Sequence, residues 1–321
     1  MGSIKYEVLT HCPGFYNGAK APSSNTVEQY KTHTIKFAQW AKKEFKVRRF
    51  DQLYENIIDY LNQYSRYLQN CGRSAATIHT YVAGVCYAFQ VPLEKIQKPT
   101  RHCYTATRSR GVKAVDGRSD ATRDASERLY DFAARVGIRR REYLQLKGTN
   151  FKCCDESGYP CVEVVKGKGG KYQLQRILPD DVNDVRKLFD GSTNYVFSKA
   201  EMQNKIDLHH IRAEVAKRAY RYYMGRLSCE PGYREQLEKE IEARWRLYRG
   251  TPPANSKKKH DWSWDVSRVR GTYRIRGKNR KNAIKNGFDV EYDRCAVMAV
   301  SVFHLSHWRC DVTIDHYLLA V

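Results

Sequence analysis

The chain has 321 residues, enough for two domains that each bury a core of their own. Lys and Arg outnumber Asp and Glu by 57 to 35, and that excess of +22 favours a polyanionic partner, nucleic acid before any other. No apolar run approaches the length of a membrane-spanning helix and no signal peptide opens the sequence, so a membrane is the poorer partner and a cytoplasmic location is expected.

The first hundred residues read as helices. Asn25 and Glu28 form a capping pair ahead of Val27, Tyr30, Thr34, Phe37 and Ala41, which recur at helical spacing. A second helix is expected from about Gln52 to Gln69, with Leu53, Ile57, Leu61, Tyr64 and Leu68 on one face and Cys71-Gly72 ending it. Ser74 caps a third, carrying Ile78, Tyr81, Val82, Val85 and Phe89, until Pro92 stops the pattern. Arg73, Ser74, Thr77 and His79 make a polar side that suits phosphates or plain solvent.

From about Lys98 to Arg123 the sequence is basic and poor in large apolar residues, the composition of a linker. Arg108, Arg110 and Lys113 within it are candidate phosphate contacts. A second domain begins near residue 124, where Leu129, Phe132, Ala133 and Val136 mark an amphipathic helix. Three β segments follow, Asn150–Cys154, Cys161–Val165 and Tyr172–Leu178, with turns at Asp155–Pro160 and Gly167–Gly170. Asp207 is a candidate cap for the helix that starts LHHIR.

Ten cysteines are scattered with no Cys-x-x-Cys pair. Cys153, Cys154 and Cys161 read as two strand residues and their cross-strand neighbour, reduced in a cytosol. No metal site and no cofactor are expected.

The chemistry-bearing residues come in a particular order. Arg139 lies in GIRRREYLQL, Lys168 in KGKGGK, His209 and Arg212 in LHHIR, and His307 and Tyr317 in LSHWRCDVTIDHYL. A phenol becomes a useful nucleophile when a base takes its proton. A phosphodiester under attack concentrates charge that fixed cations must meet, and its leaving oxygen needs a proton. One base, two arginines, a lysine on a tight hairpin and a tyrosine supply all of these. Lys166 and Lys171 compete with Lys168 for the acid, His210 with His209 for the base, and His304 and His316 with His307.

These segments resemble the motifs of the tyrosine recombinases, the family of phage and mobile-element integrases. GIRRREYLQL is similar to its arginine box, KGKGGK to its lysine hairpin, HHIR to its His-x-Leu-Arg box, and LSHWRCDVTIDHYL to its Leu-Gly-His-x-Arg segment with the terminal His-Tyr-Leu. The resemblance implies a mainly α (α+β) protein, with a helical core-binding domain over 1–97 that clamps DNA and a linker over 98–123. A helical catalytic domain with a small three-stranded antiparallel sheet would cover 124–321. It also implies that Arg139 and Arg212 hold the scissile phosphate, Glu142 supports Arg139, and Lys168 is the general acid. His209 is then the base, His307 a donor to a phosphate oxygen and Tyr317 the nucleophile. Double-stranded DNA is the implied partner, with Arg73, Thr77, Arg108, Arg110, Lys113 and Lys171 as further contacts. A homotetramer on DNA, with accessory bending or directionality factors, is implied for strand exchange.

Two departures stand out. Ser306 occupies the place of a glycine, and an insert of about 221–293 separates the His209 box from His307. The insert is rich in charge, with Lys257, Lys258 and Lys259 and then Arg276, Lys278, Arg280 and Lys281. It reads as an addition that contacts DNA or another protomer and leaves the catalytic core intact. Two other readings share the chemistry or the ancestry: a type IB topoisomerase that relaxes DNA without synapsis, and an inactive DNA-binding relative.

Overall fold

The computed structural model describes residues 3–16, 24–101, 126–168, 171–203, 206–248 and 264–319. The chain divides into two compact units, Met1–Ala106 and Thr107–Val321. The linker residues Arg108, Arg110 and Lys113, and Lys257 to Lys259 of the insert, lie outside the described residues. Among the described residues no helix is long and apolar enough to cross a membrane.

The first unit is helical: α1 (Ile4–His11), α2 (Ser24–Phe45), α3 (Phe50–Glu55), α4 (Ile57–Asn70) and α5 (Ala75–Phe89). Its core is built from the apolar stripes expected of the sequence, Phe37, Ala41, Leu53, Leu61, Ile78, Val82 and Phe89 among them. Ser74 caps α5 by accepting from the Thr77 amide at 3.2 Å, and Gln90 ends the helix in the left-handed conformation at φ 54°. Two expectations need correction. Asn25 lies inside α2 rather than capping it, and Glu28 pairs with Lys31 instead. The single helix expected over Gln52 to Gln69 is two, broken at Asn56 (φ −113°, ψ 19°). The stripe of Leu53, Ile57 and Leu61 runs through the break in phase, so periodicity alone could not reveal it.

The second unit is also mainly helical, with one three-stranded antiparallel sheet of order β1-β2-β3 and a separate hairpin. Its first elements are α6 (Glu127–Arg135), α7 (Arg140–Tyr143), β1 (Phe151–Lys152), β2 (Cys161–Val164), β3 (Gln173–Arg176) and α8 (Val182–Arg186). The strands are shorter than expected. Cys153 and Cys154 lie beyond β1 and are exposed, while Cys161 is buried opposite Lys152 and Arg176. The chain leaves the sheet at Cys153, and Asp155 beyond it is buried against two arginines.

The long α9 (Leu208–Cys229) and α10 (Tyr233–Tyr248) precede the hairpin β4 (Thr272–Arg274) and β5 (Glu291–Asp293), which encloses α11 (Gly277–Lys285). Helix α12 (Arg294–Ala299) runs into a π-helical turn, Val300–His304, and α13 (Cys310–Thr313) into another, Ile314–Leu318. The insert is therefore not a peripheral addition. Tyr233, Leu237 and Ile241 of α10 belong to the same buried cluster as Phe303, Ile314 and Tyr317. Glu240 and Arg244 of its mixed-charge stretch are paired inside, whereas Arg276, Arg280 and Lys281 are exposed.

Asp155 is the hub of that pairing. Its Oδ2 accepts from Arg176 Nε at 2.6 Å and from Arg244 Nη2 at 2.8 Å, and its Oδ1 accepts from the Ser157 and Tyr159 amides. Arg176 also donates to Glu240 Oε2 at 2.6 Å and lies on the Phe303 ring, 3.5 Å from its centroid. Strand β3, helix α10 and the first π-helical turn are thus joined through buried charges. Burial raises the Asp155 carboxyl, but Arg176 and the hydrogen bonds outweigh it and leave it below the ordinary value of 3.8.

A buried pair is costly to break because the surviving charge is stranded. Asp155→Ala is expected to cost about 3–5 kcal/mol in urea unfolding. Removing the exposed partner Arg49 of Asp51 should cost less than about 1 kcal/mol. Because the folded pKa is depressed, the Asp155 contribution is present above pH 3.8 and lost as pH falls through the lower folded value. A loss for Asp155→Ala no larger than the Arg49 control would refute the hub.

Candidate active site

Five segments converge on one place: the start of α7, the β2–β3 hairpin, the start of α9, the loop after the first π-helical turn, and the second π-helical turn. What joins the first three is Glu142. It is buried, and its Oε2 accepts from the Arg139 amide at 2.8 Å while Oε1 accepts from Arg139 Nη1 at 2.8 Å. The same Oε1 accepts from the Lys168 amide at 3.3 Å and from Gln173 Nε2 at 3.4 Å, and Arg212 Nη1 lies 3.8 Å from Oε2. Burial raises this carboxyl, but Arg212 and Arg139 overcome it and hold it below the ordinary carboxylate value. Glu142 is a fixed anion that places cations.

Two motif glycines have steric reasons. A Cβ on Gly137 would sit 3.1 Å from Arg212 Cγ, so the glycine lets α9 come close. A Cβ on Gly167 would sit 1.5 Å from Gln173 Nε2, in the space the amide needs to reach Glu142. These give GIRRRE and KGKGGK a structural meaning that spacing alone did not supply.

Arg212 is 1 % exposed. Its Nη2 donates to the Leu305 carbonyl at 2.8 Å, while Nε and Nη1 have no hydrogen-bond partner among the described residues. Burial pulls its pKa below the ordinary arginine value, with Arg139 adding to that and Tyr317 and Glu142 opposing it. Its guanidinium carbon is 5.7 Å from the Tyr317 ring centroid. A buried guanidinium with two idle donors is unsatisfied until an acceptor arrives.

Tyr317 is buried, and His307 Nε2 lies 3.0 Å from its hydroxyl. The His209 ring centroid is 5.5 Å from that of Tyr317, so two imidazoles flank the phenol. The resemblance assigns the tyrosine's proton to His209 and the phosphate to His307, whereas in the structure the hydrogen bond to the phenol belongs to His307. Desolvation first, then Arg212, Arg139, Lys168 and His209, push the His307 pKa down to about 3. The backbone amide of Lys168 bonds Glu142, and its side chain is exposed. Asp207 caps α9 as expected, accepting from the His209 and His210 amides.

The loop carrying His307 is held tightly. Its amide donates to the Ser301 carbonyl at 2.8 Å, Ser301 Oγ accepts from the Arg309 amide at 2.9 Å, and Gln175 Nε2 donates to Ser306 Oγ at 2.9 Å. Ser306 and Trp308 on either side of His307 both adopt positive φ, 52° and 60°. A glycine would take the Ser306 conformation without strain, so the usual glycine of the resembled motif and this serine answer the same backbone demand. Trp308 packs edge-on against Trp245 of α10, with ring centroids 5.4 Å apart.

The structure thus brings Arg139, Glu142, Lys168, His209, Arg212, His307 and Tyr317 together. It leaves out the competing His304, which is buried against the Tyr223 hydroxyl, and His316, which is exposed. Arg73 is exposed in the first unit, and the Thr77 hydroxyl bonds Ser74. Lys171 is exposed and lines a cavity beside the site. Gln173, Gln175 and Ser301 were missed by sequence reasoning; the only signal was the alternation of two glutamines along β3, which looks like any half-solvated strand. Comparison with protein-family models finds no match for this chain, and comparison with curated proteins finds none either.

His307 is expected to stay neutral, with no imidazole titration by NMR between about pH 5 and 8. Because its folded pKa is lowered from 6.5, its contribution to stability is complete above pH 6.5 and lost as pH falls toward about 3. An imidazole assigned to His307 that titrates near 6.5 would contradict the desolvated, cation-ringed position described.

Proposed function

We propose that this chain is a tyrosine recombinase, a site-specific DNA breaking and rejoining enzyme of the integrase type, with the catalytic fold of that family in its second unit. The observation that carries the reading is Arg212: a buried guanidinium with two nitrogens that lack a hydrogen-bond partner among the described residues, beside a tyrosine whose hydroxyl is already bonded to a neutral imidazole. Such a set has an unmet need for an oxyanion and a nucleophile aimed near where the oxyanion would sit.

In this reading Arg139 and Arg212 hold the non-bridging oxygens of a phosphodiester, and Glu142 keeps both guanidiniums in place. The Tyr317 oxygen attacks phosphorus, its proton passing to one of the two imidazoles beside it, and the bond to the 5′-oxygen breaks as Lys168 protonates that oxygen. His209, the base the resemblance implies, flanks the phenol ring, and His307 Nε2 is bonded to its hydroxyl. The products are a 3′-phosphotyrosyl link and a free 5′-hydroxyl. Attack by a 5′-hydroxyl from another strand reverses the step and returns the proton, so the energy of the broken bond is conserved. Strand exchange of this kind engages a tetramer on double-stranded DNA. The first unit would clamp the duplex through residues such as Arg73, and the exposed Arg276, Arg280 and Lys281 of the insert would add phosphate contacts.

A nicked suicide substrate carrying the recombination site tests the nucleophile. Wild type is expected to accumulate a denaturation-resistant adduct that Tyr317→Phe does not form, and an adduct in that variant would sink the assignment. Loss of His307 should slow adduct formation more than loss of His209 if His307 is the acceptor. Relaxation of plasmids without synapsis would favour a topoisomerase instead.

The acid has its own test. Lys168→Ala should slow cleavage by roughly 10²–10⁴-fold, the usual worth of a general acid. A substrate with sulfur as the 5′-bridging atom should restore the rate, because a thiolate leaves without a proton. If it does not, with DNA binding intact, Lys168 is not the acid.

A further inference from the structure

Between strand β1 and the Asp155 hub stand two cysteines in succession, Cys153 and Cys154, both exposed. No other adjacent pair of cysteines occurs in the chain. Cys71 and Cys229 are exposed but single, and Cys161, the nearest buried cysteine, is pushed up to about 12 by burial and so is poorly reactive. Interaction with the Cys153 thiol holds the Cys154 thiol above its ordinary value, so the two sulfurs are close enough to act on each other's protons.

We infer that Cys153 and Cys154 are a modification site, which a small-molecule disulfide such as oxidised glutathione converts to an intrachain disulfide that loosens the Asp155 hub. One protein thiolate attacks the glutathione disulfide, forming a mixed disulfide and releasing one glutathione thiolate. The neighbouring protein thiolate attacks the protein sulfur of that mixed disulfide and releases the second. Two protein thiols are oxidised, one glutathione disulfide is reduced, and each departing glutathione thiolate takes up one of the two protons. Cys71 and Cys229 have no adjacent thiol for the second step and retain glutathione.

The bridge is strained by its position. Adjacent Cα atoms stand about 3.8 Å apart across a trans peptide, whereas bridged cysteines ordinarily keep theirs roughly 4.4–6.8 Å apart. The disulfide therefore forms only with movement of the backbone at 153–154, and so short a closed loop gives little of the usual chain-entropy gain. That movement falls on a tightly bonded turn. The Asp155 amide donates to the Tyr159 carbonyl at 2.8 Å, while Asp155 Oδ1 accepts from the Ser157 amide at 2.9 Å and the Tyr159 amide at 3.1 Å. Displacing the turn displaces the carboxylate that holds Arg176 of β3 and Arg244 of α10. A strained, exposed bridge is also readily reduced, so thiols at rest in a reducing compartment form it under oxidation and recover afterwards. The turn lies behind the site, and the bridge acts on the fold whichever reaction the site performs.

The test treats full-length protein with oxidised glutathione, alkylates the remaining thiols and sequences the tryptic peptides by mass spectrometry. The peptide Cys153–Lys166 should carry a bridge between Cys153 and Cys154, an alkylated Cys161 and no glutathione, while Cys71 and Cys229 carry glutathione. Glutathione retained at Cys153 or Cys154, a bridge to Cys161, or an untouched pair beside reacted Cys71 and Cys229 would each overturn the site. Amide hydrogen exchange at Ser157 and Tyr159 should quicken roughly tenfold or more in the oxidised protein, because opening the turn relieves the bridge. Dithiothreitol should reverse the change, and Cys153→Ser and Cys154→Ser should each abolish it. A bridge that forms and leaves both amides as slow as before overturns the link to Asp155. Faster exchange that persists in both serine variants belongs to glutathione elsewhere and overturns it too.

Discussion

The candidate site depends on one buried carboxylate. Glu142 accepts from the backbone and side chain of Arg139, from the Lys168 amide and from Gln173, and it stands 3.8 Å from Arg212. Without that negative charge, two guanidiniums would have to approach each other in a region closed to water, where like charges are least screened. With it, the arginines are placed but not neutralised: one carboxylate faces two guanidiniums, and the surplus positive charge remains for a ligand. The arrangement is therefore attractive to an anion as a consequence of how it folds. A neutral glutamine of the same shape would keep some hydrogen bonds and lose the compensation.

A second buried carboxylate plays the matching part behind the site. Asp155 joins Arg176 of β3 to Arg244 of α10, and Arg176 rests on Phe303 near the end of the first π-helical turn. The loop that carries His307 begins there. The position of His307 is thus tied to a helix of the insert through charges and rings, including Trp308 on Trp245. This is why the insert cannot be separated from the rest of the second unit as an accessory. Its helix α10 supplies apolar side chains to the core that also buries Tyr317, and ion pairs to the sheet that carries the hairpin.

What the sequence made legible, and what it hid, follows from whether a feature is local. The stripes on α2, α4, α5 and α6, the caps Ser74 and Asp207 and the sheet hairpin are local, and residues close in sequence determine them. The ordered set from Arg139 to Tyr317 could be read along the chain, whereas the convergence of its members needed the fold. Asn56 was hidden because a helix can break without losing the phase of its apolar face. The packing of helix α10 was hidden, because buried Glu240 and Arg244 are indistinguishable in sequence from solvated ones until Arg176 and Asp155 are found opposite. The role of Gln173 depends on a contact with Glu142, 31 residues earlier.

The segments that carry His307 and Tyr317 differ in how they are restrained, and that difference bears on mechanism. His307 sits between two residues at positive φ, a conformation costing roughly 1–2 kcal/mol for each side chain that adopts it. Such strain persists only when the surroundings impose it. Here they do so through Ser301, Gln175 and Trp245, which bond or pack the loop from three directions. Tyr317 instead lies on a short π-helical turn, a geometry rare in itself and common at functional sites. In the proposed reaction the imidazole that meets the phenol hydroxyl is a fixed partner, held by the loop that carries it.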